Sequence, residues 1–251
     1  MRKGMVVPSC IFCGTEGNLS EEHIWPQWMP PYLPAEDQIT HVREYKNIHR
    51  YGRGESVIRP LKTYQGTLAN RRLKIVCQNC NNEWMNRLEQ TARPLIFPLI
   101  TGRFLILEQA EITILAAWFA MKVMVGEFTW RENRVVPPED LTYLRERWEP
   151  PPSWQICIAN HNAVDWALAR KRWASSVAPP GAELGPAFNI QSTSMGMNRL
   201  YMRATSVSLP NLTPLTTRFP SGVRQLWPYA GNIAWPQRVL SEGEIKFLSE
   251  V

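Results

Sequence analysis

No apolar run in this chain has the length of a membrane span. The longest, residues 112–125, contains Lys122 and is bounded by Glu111 and Glu127. That is short of the roughly 20 residues a spanning helix needs, so a buried core helix is expected and no membrane partner. Residues 1–10 carry two basic side chains but no apolar stretch of the length a secretory signal requires, and a cytoplasmic protein is expected. Internal repeats, low-complexity tracts and flexible linkers are also lacking, which excludes repeat arrays and favours packed units over independently tethered domains. Glycine is scarce where a phosphate cradle would need it: Gly52 and Gly54 stand alone in the basic segment. Cysteine is scarce too, with five in 251 residues.

Four of those five fall into two Cys-x-x-Cys pairs, Cys10 with Cys13 and Cys77 with Cys80, separated by 63 residues. In a reducing compartment that spacing argues for a metal and against disulfides. Four thiolates satisfy tetrahedral Zn²⁺ with no open position, which is the signature of a structural site; iron is compatible with the same geometry. Such an ion can also replace the core that a unit of about 80 residues lacks, because its binding free energy is folding free energy.

The remainder has the composition of a folded protein, with 44% apolar and 20% charged residues, and its length suits one or two domains. The expected class is α+β, with a zinc-bearing unit over residues 1–92 and a mixed helix and strand unit of unassigned role over 93–251. In the first unit, residues 20–25 have room for a strand and 26–34 are proline-rich and irregular. Residues 73–76 form a second strand running into Cys77, and 81–89 form a helix with Trp84, Met85 and Leu88 on one face. Everything between the two strands is expected to be a loop closed by the ion. In the second unit, 108–128 form a helix apolar on nearly every side, and 139–148 form another. Residues 155–159, 187–192 and 199–208 form short strands. Ser241 and Glu244 form a capping box for a last helix. Trp118, Met121 and Met124 are expected in the core, with Lys122 snorkelling to the surface. Cys157 and His161 read as structural, and Trp227-Pro228 and Trp235-Pro236 as packing anchors for the C-terminal segment.

Between the cysteine pairs stands Glu21-Glu22-His23-Ile24-Trp25-Pro26, and Asn81-Asn82 follows Cys80 directly. Here the sequence resembles the zinc-stapled branch of the HNH endonucleases, whose active site is a ββα-metal fold. In that family an acidic residue, a histidine, an apolar residue, any residue and a proline start the hairpin. A cysteine pair followed at once by His or Asn opens the helix.

The resemblance covers Cys10 to about Leu88, under a third of the chain. It implies Cys10, Cys13, Cys77 and Cys80 as structural zinc ligands, His23 as general base, and Glu22 with Asn81 as ligands of a catalytic Mg²⁺, for which Mn²⁺ can substitute. Glu22 stands where Asp is commoner, and Asn81 where His is. The middle Asn of the family name has no clear counterpart, Asn70 being nearest. On a regular strand Glu22 and His23 would face opposite ways, so they must lie at a strand end or an irregular turn; otherwise Glu21, on the face of His23, is the ligand.

The net charge of +6 is concentrated between His41 and Lys74, where nine Lys or Arg stand against two acids. Arg43, Lys46, Arg50, Arg53, Arg71, Arg72 and Lys74, interspersed with Tyr45, Tyr51 and Tyr64, have the composition of a phosphate-tracking surface with stacking groups. Its position between the two strands points to nucleic acid, with DNA the expected substrate of a phosphodiester hydrolase. The C-terminal unit is left to contact a protein partner or a second copy of the chain. A zinc-stapled binding module without catalysis is the alternative.

Overall fold

The structure, a computed structural model, describes residues 8–33, 71–129, 134–176, 188–209 and 219–250, together with the backbone of four short strands between 40 and 65. The fold is α+β. Strand β1 (Leu19–His23) is followed by four strands known from their backbone, β2 (Thr40–Arg43), β3 (Ile48–Arg50), β4 (Glu55–Val57) and β5 (Lys62–Gln65), and then by β6 (Arg72–Cys77). β1 and β6 pair antiparallel, β2 pairs with β5, and β3 with β4. The stretch expected as one long loop therefore contains two antiparallel strand pairs; its charges had masked the extended pattern.

From Cys77 the chain enters a helical run: α1 (Gln78–Cys80), a π turn (Asn81–Met85) and α2 (Asn86–Thr101). The helix outlasts its expected end because Pro94 and Pro98 remove backbone donors without removing its apolar face. Leu88, Ala92, Ile96, Leu99 and Ile100 are fully buried, and packing of that face outweighs two missing hydrogen bonds. Gly102, at φ 69°, ends it in the left-handed conformation.

After β7 (Leu105–Leu107) comes α3 (Gln109–Glu127), opened by a reciprocal Glu108–Glu111 capping box. By length and composition α3 could cross a membrane, but 72% of its most apolar stretch is buried within the fold, which makes it the central core helix. α4 (Pro138–Arg147) leads into β8 (Trp154–His161), β9 (Leu168–Ser175), β10 (Ile190–Met197) and β11 (Leu200–Val207). β12 (Arg224–Trp227), β13 (Ile233–Trp235), β14 (Val239–Leu240) and α5 (Glu242–Leu248) complete the chain, α5 opened by the expected Ser241–Glu244 box. The main sheet runs β12-β8-β11-β10-β9, with β14 beside β8, and β13 pairs with β7.

β9 escapes the sequence reading because Arg170, Lys171 and Arg172 break its apolar pattern. The Arg172 side chain is shielded from solvent nonetheless, forming an ion pair with Glu127 at the end of α3. One apolar cluster joins Phe12, Ile24 and Trp25 to α2, α3 and sheet residues Ile156, Met195 and Leu226. The described residues of 1–92 thus share a core with those of 93–251, and α2 runs through the boundary between them.

Candidate metal centre and adjoining cleft

The first cysteine pair lies on a tight turn. Gly14 takes φ 71°, and its N–H bonds the Cys10 carbonyl at 2.9 Å. The Ile11 N–H reaches the Ile75 carbonyl at 3.0 Å, docking the turn on β6. Phe12, fully buried, meets Trp84 edge to face at 4.9 Å between ring centres. The second pair lies beside that turn, at the C-terminal end of β6, with Cys77 as the helix N-cap, its sulfur accepting from the Cys80 N–H. All four Sγ atoms fall within 4.8 Å of one another and none is in a disulfide. Cys13 and Cys77 stand 3.6 Å apart at sulfur, against about 3.8 Å for a tetrahedral ion with Zn–S near 2.3 Å. Burial works against a lowered pKa at Cys13, but hydrogen bonds from Thr15 outweigh it and bring the thiol down to about 6. The four cysteines are a group able to hold a zinc ion.

Beside them β1 carries the acidic and imidazole groups. Its register with β6 slips after Ser20, which faces Val76, so that Glu21 faces Lys74 and Ile75 is left over as a bulge. His23 is the last residue of the strand. The irregularity and the strand end together satisfy the requirement raised by the sequence: Glu22 turns into the core while half-buried His23 stands at the surface, and both line one cleft. That cleft, about 350 Å³, is also bordered by Glu21, Gln27, Asn81, Glu89, Arg93 and Lys122.

Helical spacing explains its far wall. Asn81, Met85, Glu89 and Arg93 recur every four residues and so share a face, and all four line the cleft. Asn81 is not at the helix start, as the sequence suggested: the helix opens at Gln78, and the Asn81 N–H already bonds the Gln78 carbonyl. Its backbone therefore offers no free donor to a phosphate. The side chain instead clamps the hairpin, Nδ2 donating to Ser20 Oγ at 3.1 Å and to the Glu21 carbonyl at 3.3 Å. The Gln27 amide nitrogen lies 3.0 Å from His23 Nε2. Burial, then the nearby Arg72 charge, lowers the His23 pKa from its usual value, which keeps the ring neutral at pH 7.

Lys122 is where the sequence reading fails most clearly. It does not snorkel: it is 1% exposed, with Nζ 2.8 Å from Glu22 Oε1 and 2.7 Å from Glu89 Oε2. Burial pulls its pKa down, yet the two carboxylates outweigh that and hold it above the ordinary lysine value. One signal was available in the sequence, since a single charge in a helix otherwise buried all round demands partners. Glu89 carried no such mark. Glu21, the alternative acid, is exposed and pairs with Arg72 at 3.3 Å. Of the basic residues, Arg72 and Lys74 are exposed and Arg71 half-buried at the hairpin. The side chains of Arg43, Lys46, Arg50 and Arg53 lie outside the described residues.

No known protein family, curated protein or solved structure matches the chain.

The oxygen donors of Glu22 and Asn81 are of the kind a hard divalent cation takes. Glu22 shares its charge with Lys122, and Asn81, with its amide nitrogen engaged, has Oδ1 to offer.

Proposed function

We propose that the chain is a zinc-stapled endonuclease of the HNH type, hydrolysing phosphodiester bonds of DNA. The observation that carries this reading is the meeting of His23, Glu22 and Asn81 in one cleft. They are placed there by a hairpin and a helix that join at four clustered cysteines.

In this reading Zn²⁺ on Cys10, Cys13, Cys77 and Cys80 is structural. His23, neutral at pH 7, takes a proton from the attacking water, which displaces the Gln27 amide from the accepting ring nitrogen. Glu22 and Asn81 would hold Mg²⁺ or Mn²⁺, which when bound supplies positive charge opposite the oxygens that become more anionic as the bond breaks. Arg93 lines the cleft and Arg72, opposite His23 on β6, adds positive charge beside it; the basic composition of residues 41–74 suits a phosphate backbone.

The test is incubation of the purified full chain with supercoiled plasmid and Mg²⁺, with and without EDTA. Conversion to nicked or linear DNA that EDTA abolishes supports the proposal. Intact plasmid in both lanes defeats it. A second reading, a zinc-stapled nucleic-acid-binding module without catalysis, draws on one observation: Lys122 already counters the carboxylate that would hold the catalytic ion. Binding of DNA without cleavage would select it.

A further inference from the structure

Lys122 Nζ makes three contacts: Glu22 Oε1 at 2.8 Å, Glu89 Oε2 at 2.7 Å and the His23 carbonyl at 3.3 Å. An ammonium has three N–H donors, and these oxygens account for all of them. Nζ therefore has no donor to turn towards a phosphate, and its side chain is almost wholly withdrawn from solvent. Its position is that of a cation held between two carboxylates at the inner wall of the cleft.

We infer that Lys122 is the resident cation of the Glu22–Glu89 pair and limits how tightly the cleft holds a hard divalent metal. The inference rests on the proposed reading of the cleft as a metal-dependent nuclease site. Glu22, Glu89 and Lys122 together carry a net charge of about −1 at neutral pH. A divalent ion at Glu22 meets that single residual charge, and is repelled by the ammonium already bonded to the same carboxylate. Without the ammonium the two carboxylates would present −2 in a partly enclosed space, where such differences are weakly screened. Because Lys122 comes from α3 and Glu89 from α2, residues beyond the hairpin set the metal affinity of a site the hairpin displays.

The experiment is Mn²⁺ binding, followed by electron paramagnetic resonance and calorimetry on the zinc-loaded full chain. Lys122→Met keeps a long unbranched side chain and removes the charge. The variant should bind Mn²⁺ about tenfold or more tightly than wild type, and Mn²⁺ should raise its melting temperature. Adding Glu89→Gln should abolish the gain. Glu89→Gln alone should leave a neutral Glu22–Lys122 pair and weaken Mn²⁺ binding about tenfold. If Lys122→Met does not fold, Lys122→Gln replaces it, with the same expected gain. Unchanged Mn²⁺ affinity in the folded Lys122 variant overturns the inference, as does a gain that survives Glu89→Gln. Plasmid cleavage is scored separately. Cleavage by wild type without a gain in the variant sinks this inference and leaves the nuclease reading standing. A gain without cleavage by either protein does the reverse.

Discussion

Changing Cys77→Ser isolates the contribution of the metal centre, because serine keeps one of the two things the cysteine does. Cys77 caps the helix that starts at Gln78, and serine is at least as good an N-cap, so the helix start should survive. What is lost is one of four sulfurs lying within 4.8 Å of one another. Zinc held by four thiolates contributes about 10–16 kcal/mol in small peptides, as much as the about 5–15 kcal/mol that holds a whole domain folded. If the ion alone supported the fold, the variant would be unfolded throughout. The shared core argues otherwise: Leu88, Ile96 and Leu99 of α2 are fully buried in one cluster with α3, each such side chain being worth about 1.5–3 kcal/mol without any metal. Zinc should fall from about one per chain to a small fraction of that. Amide exchange in Leu19–His23 and Arg72–Cys77 should quicken about 10³-fold or more, while Gln109–Glu127 and Trp154–His161 change little. Hydrogen exchange read by mass spectrometry, with metal analysis on the same sample, measures both. Hairpin protection that survives zinc loss would refute the staple; protection lost equally from α3 would refute the independence of the core.

His23→Ala should slow plasmid cleavage about 10²- to 10⁴-fold with zinc content and melting temperature unchanged. Because the His23 pKa lies below its usual value, wild-type cleavage should fall on the acid side and be level above pH 7, as steady-state rates against pH will show. Asn81→Ala should lose activity that is partly recovered at high Mg²⁺, since the role proposed for it is at the metal and not at the proton. Burial drives the pKa of His161 down to about 4, so between pH 6.5 and 4 the unfolded chain holds a proton the folded one refuses. Stability should fall by about 3 kcal/mol as pH drops through that window, and His161→Gln should flatten the melting-temperature profile. At Gly196 an added Cβ would stand 1.9 Å from the Trp166 carbonyl oxygen; Gly196→Ala should lower the melting temperature by roughly 6–12 °C by calorimetry.

Much of the local structure was legible in the chain itself, because it depends on neighbours in sequence. The two Cys-x-x-Cys pairs announce a shared metal through spacing alone, and the four sulfurs do meet. The apolar run around Trp118 announces a buried helix, and Ser241 with Glu244 a helix start. The adjacency of Glu22 and His23 implied an irregular strand end, since only broken alternation lets neighbours share a cleft. What the sequence could not supply was every partnership between distant residues. Lys122 finds Glu22 a hundred positions away and Glu89 on another helix. The shielded Arg172 side chain in β9 reads as a surface charge until Glu127 is placed beside it. Periodicity reports which face of an element is apolar; it does not report what that face meets. A buried charge is stable only when its counter-charge arrives from elsewhere in the fold. The inner wall of the cleft was therefore decided by how α2, α3 and the hairpin pack, and by nothing local to any of them.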